Sequence, residues 1–294
     1  MIKNTNDNTT ARPHLKCYIN SGNLFNLPAY SSGPQGNELE LLKAAKAAGF
    51  QGVQFANPEL CRELGLGVAG SGRVNRVDEV EPVAIKAKEQ DLECVTLHVG
   101  WGLEPDEEVW RLVEAVLEAS QKHDIPLYIE THRATITQDM WRTVQIVNKF
   151  PEVRFNGDFS HWYTGQEMVY GGFETKLAFL APVFERVRFI HGRIGNPGSI
   201  QVDIGDGHKD LSYLSHFKEM WTRSFAGFLK SARGGDYFCF APELLQPEIF
   251  YARTFPNKEG QLIEEGDRWQ QALLYNQIAQ ECFDVAYQSL EQPV

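Results

Sequence analysis

The regular alternation of two kinds of segment along the 294 residues is the feature that most constrains the fold. Short runs rich in β-branched and aromatic residues predict strands, and the longer segments between them have the apolar spacing of amphipathic helices. The predicted strands cover residues 15–19, 52–56, 65–72, 94–98, 126–130, 153–155, 188–191 and 237–240. The predicted helices cover residues 38–48, 58–64, 77–90, 105–123, 137–149, 173–187, 214–232 and 268–289.

This succession of eight strand–helix units predicts the fold class. Strict alternation is typical of a parallel sheet, and units without a dividing linker favour one closed barrel of the α/β class, a (β/α)8 TIM barrel over residues 15–294. An open, doubly wound sheet is the alternative, but the glycine fingerprint that usually follows its first strand is missing. The glycine-rich segment 65–72 lacks the spacing of a phosphate-binding loop, so we interpret it as a poorly formed third strand.

Amino-acid composition indicates which partners and which cellular compartment to expect. With 39 acidic and 28 basic residues the formal net charge is −11, which disfavours nucleic acid as the main partner. No run of about 18 uncharged apolar residues predicts a membrane span, and the polar start, residues 1–14, predicts a disordered tail and no signal peptide. The five scattered cysteines contain no Cys-x-x-Cys pair and are typical of buried thiols in a reducing cytoplasm. We therefore expect a cytoplasmic protein, with assembly into a homo-oligomer left open.

Residues of metal-binding type lie at or just after the ends of four predicted strands. They are Glu130, Asp158, His191 and Glu243. In a (β/α)8 barrel all strand carboxyl ends open onto one face, so these side chains are expected to be neighbours despite their separation in sequence. Three carboxylates and one imidazole suit one divalent ion such as Mn²⁺, Mg²⁺, Co²⁺ or Zn²⁺. Without an ion the carboxylates would repel one another, and at least one would take up a proton.

The sequence around these positions forms four short motifs: Ile-Glu-Thr-His-Arg at 129–133, Asp-Phe-Ser-His at 158–161, His-Gly-Arg at 191–193 and Pro-Glu-Leu at 242–244. Together they resemble the sugar phosphate isomerase/epimerase superfamily of xylose isomerase-like TIM barrels. The resemblance extends from residue 15 to about residue 245. It implies that the four residues hold one divalent metal ion, often Mn²⁺. It further implies that Glu130 and Glu243 act as the catalytic acid and base, moving a proton through an enediolate.

Five further residues are candidates for binding the substrate. By the resemblance, His161 matches the histidine of the family's Asp-x-x-His motif and would hydrogen-bond a substrate oxygen. Arg193 and His98 lie near strand ends, where anchoring a substrate and a structural role are both open. Trp101 and Trp162 lie in strand-end loops, where an indole face could stack on a sugar ring or pack over the rim.

The resulting prediction is a divalent-metal-dependent isomerase or epimerase of a small sugar, sugar phosphate or polyol. A lyase of the inosose dehydratase type would use the same chemistry. A second class is a metal phosphodiesterase like endonuclease IV, suggested by His98 and by the loop Asp206-Gly207-His208, although the acidic balance opposes DNA binding. The third is a barrel that binds a sugar or polyol without turnover, because the loop 131–136 lacks a glutamate that epimerases of the family carry.

Overall fold

Strands and helices alternate through the computed structural model, which describes residues 1–207 and 211–291. The strands are β1 (Thr5–Asn6), β2 (His14–Asn20), β3 (Gly52–Gln54), β4 (Gly67–Val74), β5 (Cys94–Val99), β6 (Leu127–Glu130), β7 (Phe155–Asn156), β8 (Val187–Gly192), β9 (Asp236–Pro242), β10 (Thr254–Pro256) and β11 (Leu262–Glu264). The helices are α1 (Glu38–Ala47), α2 (Pro58–Glu63), α3 (Val80–Glu89), α4 (Asp106–His123), α5 (Met140–Lys149), α6 (Ser160–Gly165), α7 (Phe173–Phe184), α8 (Ser212–Leu229) and α9 (Arg268–Glu291).

Strands β2 to β9 form a closed barrel of eight parallel strands. Each pairs with the next in chain order, and β9 pairs with both β8 and β2. The prediction of a (β/α)8 barrel is confirmed, and the open sheet is excluded because both of its edges are joined. The prediction did not include the short strand β1, the short helix α6 soon after β7, or the β10–β11 hairpin between β9 and α9. No helix within the described ranges is long and apolar enough to cross a bilayer.

The glycine-rich third strand has the predicted length of eight residues but begins and ends two residues later than the predicted segment 65–72. β4 spans eight residues and pairs in parallel with β3 and β5. Its glycines allow a close approach of side chains, because a Cβ at Gly67 would collide with the Tyr18 hydroxyl and with Glu93. The same Tyr18 ring lies against Gly52 on the neighbouring strand. Glycine therefore makes room for an aromatic ring here, and it does not disrupt the strand.

The N-terminal residues cover the floor of the barrel. Thr5 and Asn6 pair antiparallel with the start of β9, and Ile2 is only 3% exposed. The Arg188 guanidinium, buried at the start of β8, donates through Nε to Asn4 Oδ1 at 2.6 Å. The expectation of a disordered tail is therefore corrected for residues 2–6. The polar side chains that suggested disorder form hydrogen bonds with strand ends far along the chain.

Helix starts follow their local sequence signals. Asn37 caps α1 in a reciprocal capping box, because its side chain accepts from the Glu40 amide and the Glu40 carboxylate accepts from the Asn37 amide. Asn57 caps α2, with Pro58 as its first residue. The helices bury their apolar faces against the outside of the barrel, so the strand carboxyl ends remain at one open face.

Candidate metal centre

Four strand-end side chains meet at the carboxyl-terminal face of the barrel. Glu130, Asp158, His191 and Glu243 each offer one ligand atom, and these atoms all lie within 4.8 Å of one another. All four residues are buried. Barrel closure has brought together side chains that come from β6, the end of β7, β8 and the end of β9. This is the cluster that the strand ends predicted.

Asp158 is oriented by the turn into α6. The backbone amide and the hydroxyl of Ser160 both donate to Asp158 Oδ1, at 3.1 and 2.5 Å. The other oxygen, Oδ2, is buried and has no hydrogen-bond partner of good geometry. It lies 3.0 Å from Arg193 Nη1 and 3.3 Å from His161 Nε2. One oxygen is therefore fixed by the backbone, and the other faces the centre and is available to a cation.

Three amide side chains hold the remaining ligands, and the sequence analysis missed them as site residues. Asn156 Nδ2 donates to Glu130 Oε2 at 3.0 Å, and its Oδ1 accepts from the His191 backbone amide. Asn20 Nδ2 donates to Glu243 Oε1 at 3.1 Å and also to Gln54 Oε1. Asn20, Gln54 and Asn156 are the last residues of β2, β3 and β7. Asn20 and Asn156 directly follow the predicted strands 15–19 and 153–155, so the strand-end rule that singled out Glu130 would have found them. Gln54 lies inside the predicted strand 52–56, because the structure ends β3 two residues earlier.

Gln54 determines which nitrogen of His191 faces the carboxylates. Its Oε1 lies 2.9 Å from His191 Nε2, and because a carbonyl oxygen only accepts, Nε2 carries a proton. Nδ1 then faces the oxygens of Glu130 and Glu243, at 3.3 Å each. A ligating histidine in proteins commonly donates its other ring N–H to an oxygen in this way. Nδ1 is thus the atom that a metal ion would bind.

Arg193 binds two members of the cluster. Its guanidinium is fully buried, with Nη1 3.0 Å from Asp158 Oδ2, Nη2 paired with Glu243 Oε2, and Nε donating to the Glu243 carbonyl at 2.9 Å. Its outer face lies over the Tyr251 ring, 4.4 Å from the centroid. The predicted substrate anchor therefore compensates carboxylates of the centre in this structure.

The two glutamates have pKa shifts of opposite direction. Burial raises the pKa of Glu130, but the neighbouring His191 and His98 more than offset burial and bring it well below the usual range. Burial also raises the pKa of Glu243, and there His191 and Arg193 do not cancel it. Environments that separate two carboxyl pKa values are typical of acid–base pairs.

The same charges shift the pKa values of His191 and Asp158. Burial lowers the pKa of His191, but the carboxylates of Glu243 and Glu130 outweigh burial and raise it to about 9. For Asp158, Arg193 and His161 outweigh burial and hold the pKa well below its usual range. The centre thus stabilises positive charge within it, which a divalent cation would supply.

The donor set fits a divalent ion. Three carboxylates and one imidazole are ligands for hard or borderline cations, and Asp158 Oδ2 is a buried oxygen that accepts no hydrogen bond of good geometry although it is ion-paired with Arg193. Glu130, Asp158, His191 and Glu243 are the residues that would hold the ion.

Three histidine rings lie next to one another beside the centre, each tilted against its neighbour. The His132 ring lies 4.1 Å from that of His98 and 3.8 Å from that of His161, measured between centroids. His98 Nε2 is 3.1 Å from Glu130 Oε1, and His98, Glu130 and His132 form a second group whose ligand atoms lie within 4.8 Å of one another. Both ring nitrogens of His161 are buried without a hydrogen-bond partner.

The two candidate tryptophans differ in position. Trp101 is 54% exposed at the rim and lies against the Arg73 guanidinium. Trp162 is fully buried, donates to the Thr137 carbonyl at 2.8 Å and packs against Phe159. The expectation that Trp162 stacks on a substrate is corrected to a packing role. Within the predicted Asp206-Gly207-His208 loop, His208 lies outside the described residues.

Comparison with known proteins supports the architecture. No family model matches the sequence, and no curated protein matches it. A solved L-ribulose 3-epimerase is similar, with a TM-score of 0.59, 13% identity, and coverage of 94% of this chain and 97% of that one. A D-tagatose 3-epimerase-like protein has a TM-score of 0.55 and 11% identity over 94% of this chain and 100% of its own.

A third similar structure is a xylose isomerase-like TIM barrel protein from Mycobacterium smegmatis in complex with magnesium. Its TM-score is 0.52 and its identity 11%, over 92% of this chain and 97% of that one. Likeness at such low identity concerns the arrangement of the backbone. The chain has the fold of the xylose isomerase-like TIM barrels.

Proposed function

We propose that the protein is a divalent-metal-dependent isomerase or epimerase acting on a small sugar, sugar phosphate or polyol. The proposal rests on one observation. The potential ligand atoms of four residues lie within 4.8 Å of one another: Glu130, Asp158, His191 and Glu243. The similar structures with epimerase names support this reaction class. Mn²⁺ is the ion we expect first, with Mg²⁺, Co²⁺ and Zn²⁺ as alternatives. Lyase chemistry of the inosose dehydratase type would use the same residues.

The two glutamates are suited to moving a proton. Glu130 and Glu243 come from strands separated by β7 and β8, so their carboxylates reach the centre from different directions. One would take a proton from the carbon next to a carbonyl and leave an enediolate, and the other, already protonated, would give its own proton to the enediolate. Asn156 and Asn20 hold one oxygen of each glutamate, at 3.0 and 3.1 Å. A bound divalent ion would supply Lewis-acid polarisation of the substrate carbonyl.

The surroundings favour this chemistry in two ways. Burial of the cluster keeps bulk water from the reacting carbon and strengthens the electrostatic interactions there. His161 has two buried ring nitrogens without a hydrogen-bond partner, so it can bind a substrate oxygen, as the resemblance to the superfamily implies. His98 lies 3.1 Å from Glu130 and could contact a substrate at the same side of the centre.

Solvent-deuterium exchange tests the proposal. Purified protein with one equivalent of Mn²⁺ is incubated in D₂O with ketoses, inososes and their phosphates, and deuterium incorporation is followed by NMR. We expect incorporation into at least one compound, and a loss of about 10²-fold or more in Glu130→Gln and in Glu243→Gln. Glu89→Gln, an exposed position on α3, is the matched control and should keep full exchange. Full exchange in either site variant would contradict the proposed acid–base pair.

A metal phosphodiesterase is the second candidate, because His98, Glu130 and His132 could hold a further ion that shares Glu130 with the first. Metal analysis by mass spectrometry separates the two. About one ion per chain supports the isomerase, while two or three ions together with hydrolysis of bis-p-nitrophenyl phosphate support the phosphodiesterase. Binding of sugars without any exchange would instead identify a non-catalytic binding barrel.

A further inference from the structure

Two arginines at the barrel mouth have no acidic partner. Among residues 1–207 and 211–291, neither Arg73 nor Arg133 forms an ion pair with a carboxylate; their contacts are backbone carbonyls and aromatic rings. Arg193, in contrast, is compensated by Asp158 and Glu243. In a chain with a net charge of −11, two neighbouring uncompensated arginines form an unusual local positive charge.

Strand register places Arg73 on the side of the centre. Arg73 is the second-to-last residue of β4 and pairs with His98 on β5. Residues paired across a parallel ladder project to the same face of the sheet. Since His98 Nε2 lies 3.1 Å from Glu130 Oε1, that face is the interior of the barrel mouth. Arg73 therefore projects toward the substrate side of the candidate metal centre.

Aromatic rings hold both guanidiniums in place. Arg73 lies over Trp101, 4.7 Å from the ring centroid, and its Nη1 donates to the Gly100 carbonyl at 2.8 Å. The Arg133 guanidinium lies over the Tyr251 ring, 5.2 Å from its centroid. The Arg193 guanidinium lies over the same ring at 4.4 Å. A planar guanidinium on an aromatic ring keeps its in-plane N–H groups free for a ligand.

Arg73 contacts the loop that carries Arg133. Arg73 Nη1 is 3.5 Å from the carbonyl of Ala134, the residue that follows Arg133 in the loop after β6. Arg73 pairs with His98 across the β4–β5 ladder, and Arg133 lies three residues after Glu130 in the loop that follows β6.

We propose that the substrate carries an anionic group, a carboxylate or a phosphate, which binds between Arg73 and Arg133 while the reacting carbons lie at the metal centre. The inference rests on the proposed function and narrows its substrate class. The guanidinium fork matches the paired oxygens of both anions, whereas a neutral sugar hydroxyl offers one acceptor and no charge. Tyr251 and Trp101 form the walls of this anion subsite.

A matched ligand series tests the proposal. D-fructose, D-fructose 6-phosphate, D-fructuronate and inorganic phosphate are titrated calorimetrically into the Mn²⁺-loaded protein. We expect the phosphate ester or the uronate to bind at least about tenfold tighter than fructose, and which of the two is preferred identifies the natural anion. In Arg73→Gln and Arg133→Gln the preference falls about tenfold each, and Arg73→Lys restores part of it.

Arg76→Gln is the matched control, because Arg76 is exposed and ion-paired with Asp78. It should keep the full preference for the anion. Three results would overturn the inference. The protein could bind fructose and its charged analogues with equal affinity, or it could bind no anion, inorganic phosphate included. The third is a preference for the anion that survives in the Arg73→Gln/Arg133→Gln double variant. Each of these results shows that the arginines do not select an anion.

Failure of this inference and failure of the proposed function are distinguishable. Deuterium exchange into a neutral sugar without an anion preference would retain the isomerase and remove the anion subsite. Tight, arginine-dependent binding of an anion without any exchange would retain the subsite and remove the isomerase. Metal content, measured in every variant, shows whether a substitution has disturbed the centre.

Discussion

At the scale of single residues, the centre depends on the balance between three buried carboxylates and the cations near them. Arg193 supplies one permanent positive charge to Asp158 and Glu243, and His191 can supply a second when it is protonated. A divalent ion would enter a site that already contains the guanidinium. Arg193 therefore stabilises the metal-free protein and opposes the ion electrostatically.

Replacing Arg193 with glutamine tests this balance. We expect the metal-free variant to lose about 3–5 kcal/mol of unfolding free energy, because two buried carboxylates lose their partner. Its affinity for Mn²⁺ should rise at least about tenfold, a change that needs only ~1.4 kcal/mol of relieved repulsion. Urea unfolding with and without Mn²⁺, and calorimetric titration of the ion, provide the measurements. Arg193→Lys keeps the charge and is the control. Weaker metal binding in Arg193→Gln would show that the guanidinium instead organises the ligands.

At the scale of secondary-structure elements, the helices are joined by contacts that the helical pattern alone does not specify. His216 on α8 stacks on Phe173 of α7 at 3.8 Å, and its Nδ1 lies 2.8 Å from the Tyr163 hydroxyl on α6. Burial lowers the pKa of His216, and the Glu174 carboxylate offsets this only in part. The neutral imidazole therefore joins three helices.

This contact predicts a pH dependence of stability. Because the folded pKa lies below the unfolded one, the folded state binds fewer protons, so the contribution of His216 is present above about pH 6.5 and is lost as the pH falls below that value. His216→Phe should lose less stability than the parent protein between pH 7.5 and pH 5.0, as measured by urea unfolding at both pH values. Ser215→Ala, at the neighbouring exposed position of α8, is the control. An unchanged pH dependence in His216→Phe would assign it to other groups.

At the scale of the whole molecule, the two ends of the barrel differ in the residues that they bring together. The carboxyl-terminal end holds the candidate metal centre, and the N-terminal segment covers the opposite end through Ile2, Asn4 and Thr5. Asn4 also donates to Asp236 at 2.8 Å, so this segment joins the starts of β8 and β9. We therefore expect that substitutions at the floor change stability without changing the candidate metal centre.

Removal of residues 1–8 should lower the unfolding free energy by more than about 2 kcal/mol, since burial of Ile2 alone is worth roughly that amount. Metal affinity should stay within about twofold, because the centre lies at the other end of the barrel. Thermal unfolding and metal titration of the truncated chain check both statements. Ile2→Ser separates the loss of burial from the loss of strand pairing. A parallel loss of metal binding would show that the two ends are coupled.

The sequence by itself determined the eight strand–helix units, the closed barrel and the cluster of four strand-end side chains. These depend on local periodicity and on one rule, that parallel strands in a barrel end on one face. Tertiary structure alone decided the partners of those residues: Arg193 binds two carboxylates, Trp162 is part of the core, and Asn20, Gln54 and Asn156 orient the ligands. Such contacts join residues up to 223 positions apart, as between Asn20 and Glu243. They depend on strand register and rotamers, which exist only once the barrel has closed, and no local pattern encodes them.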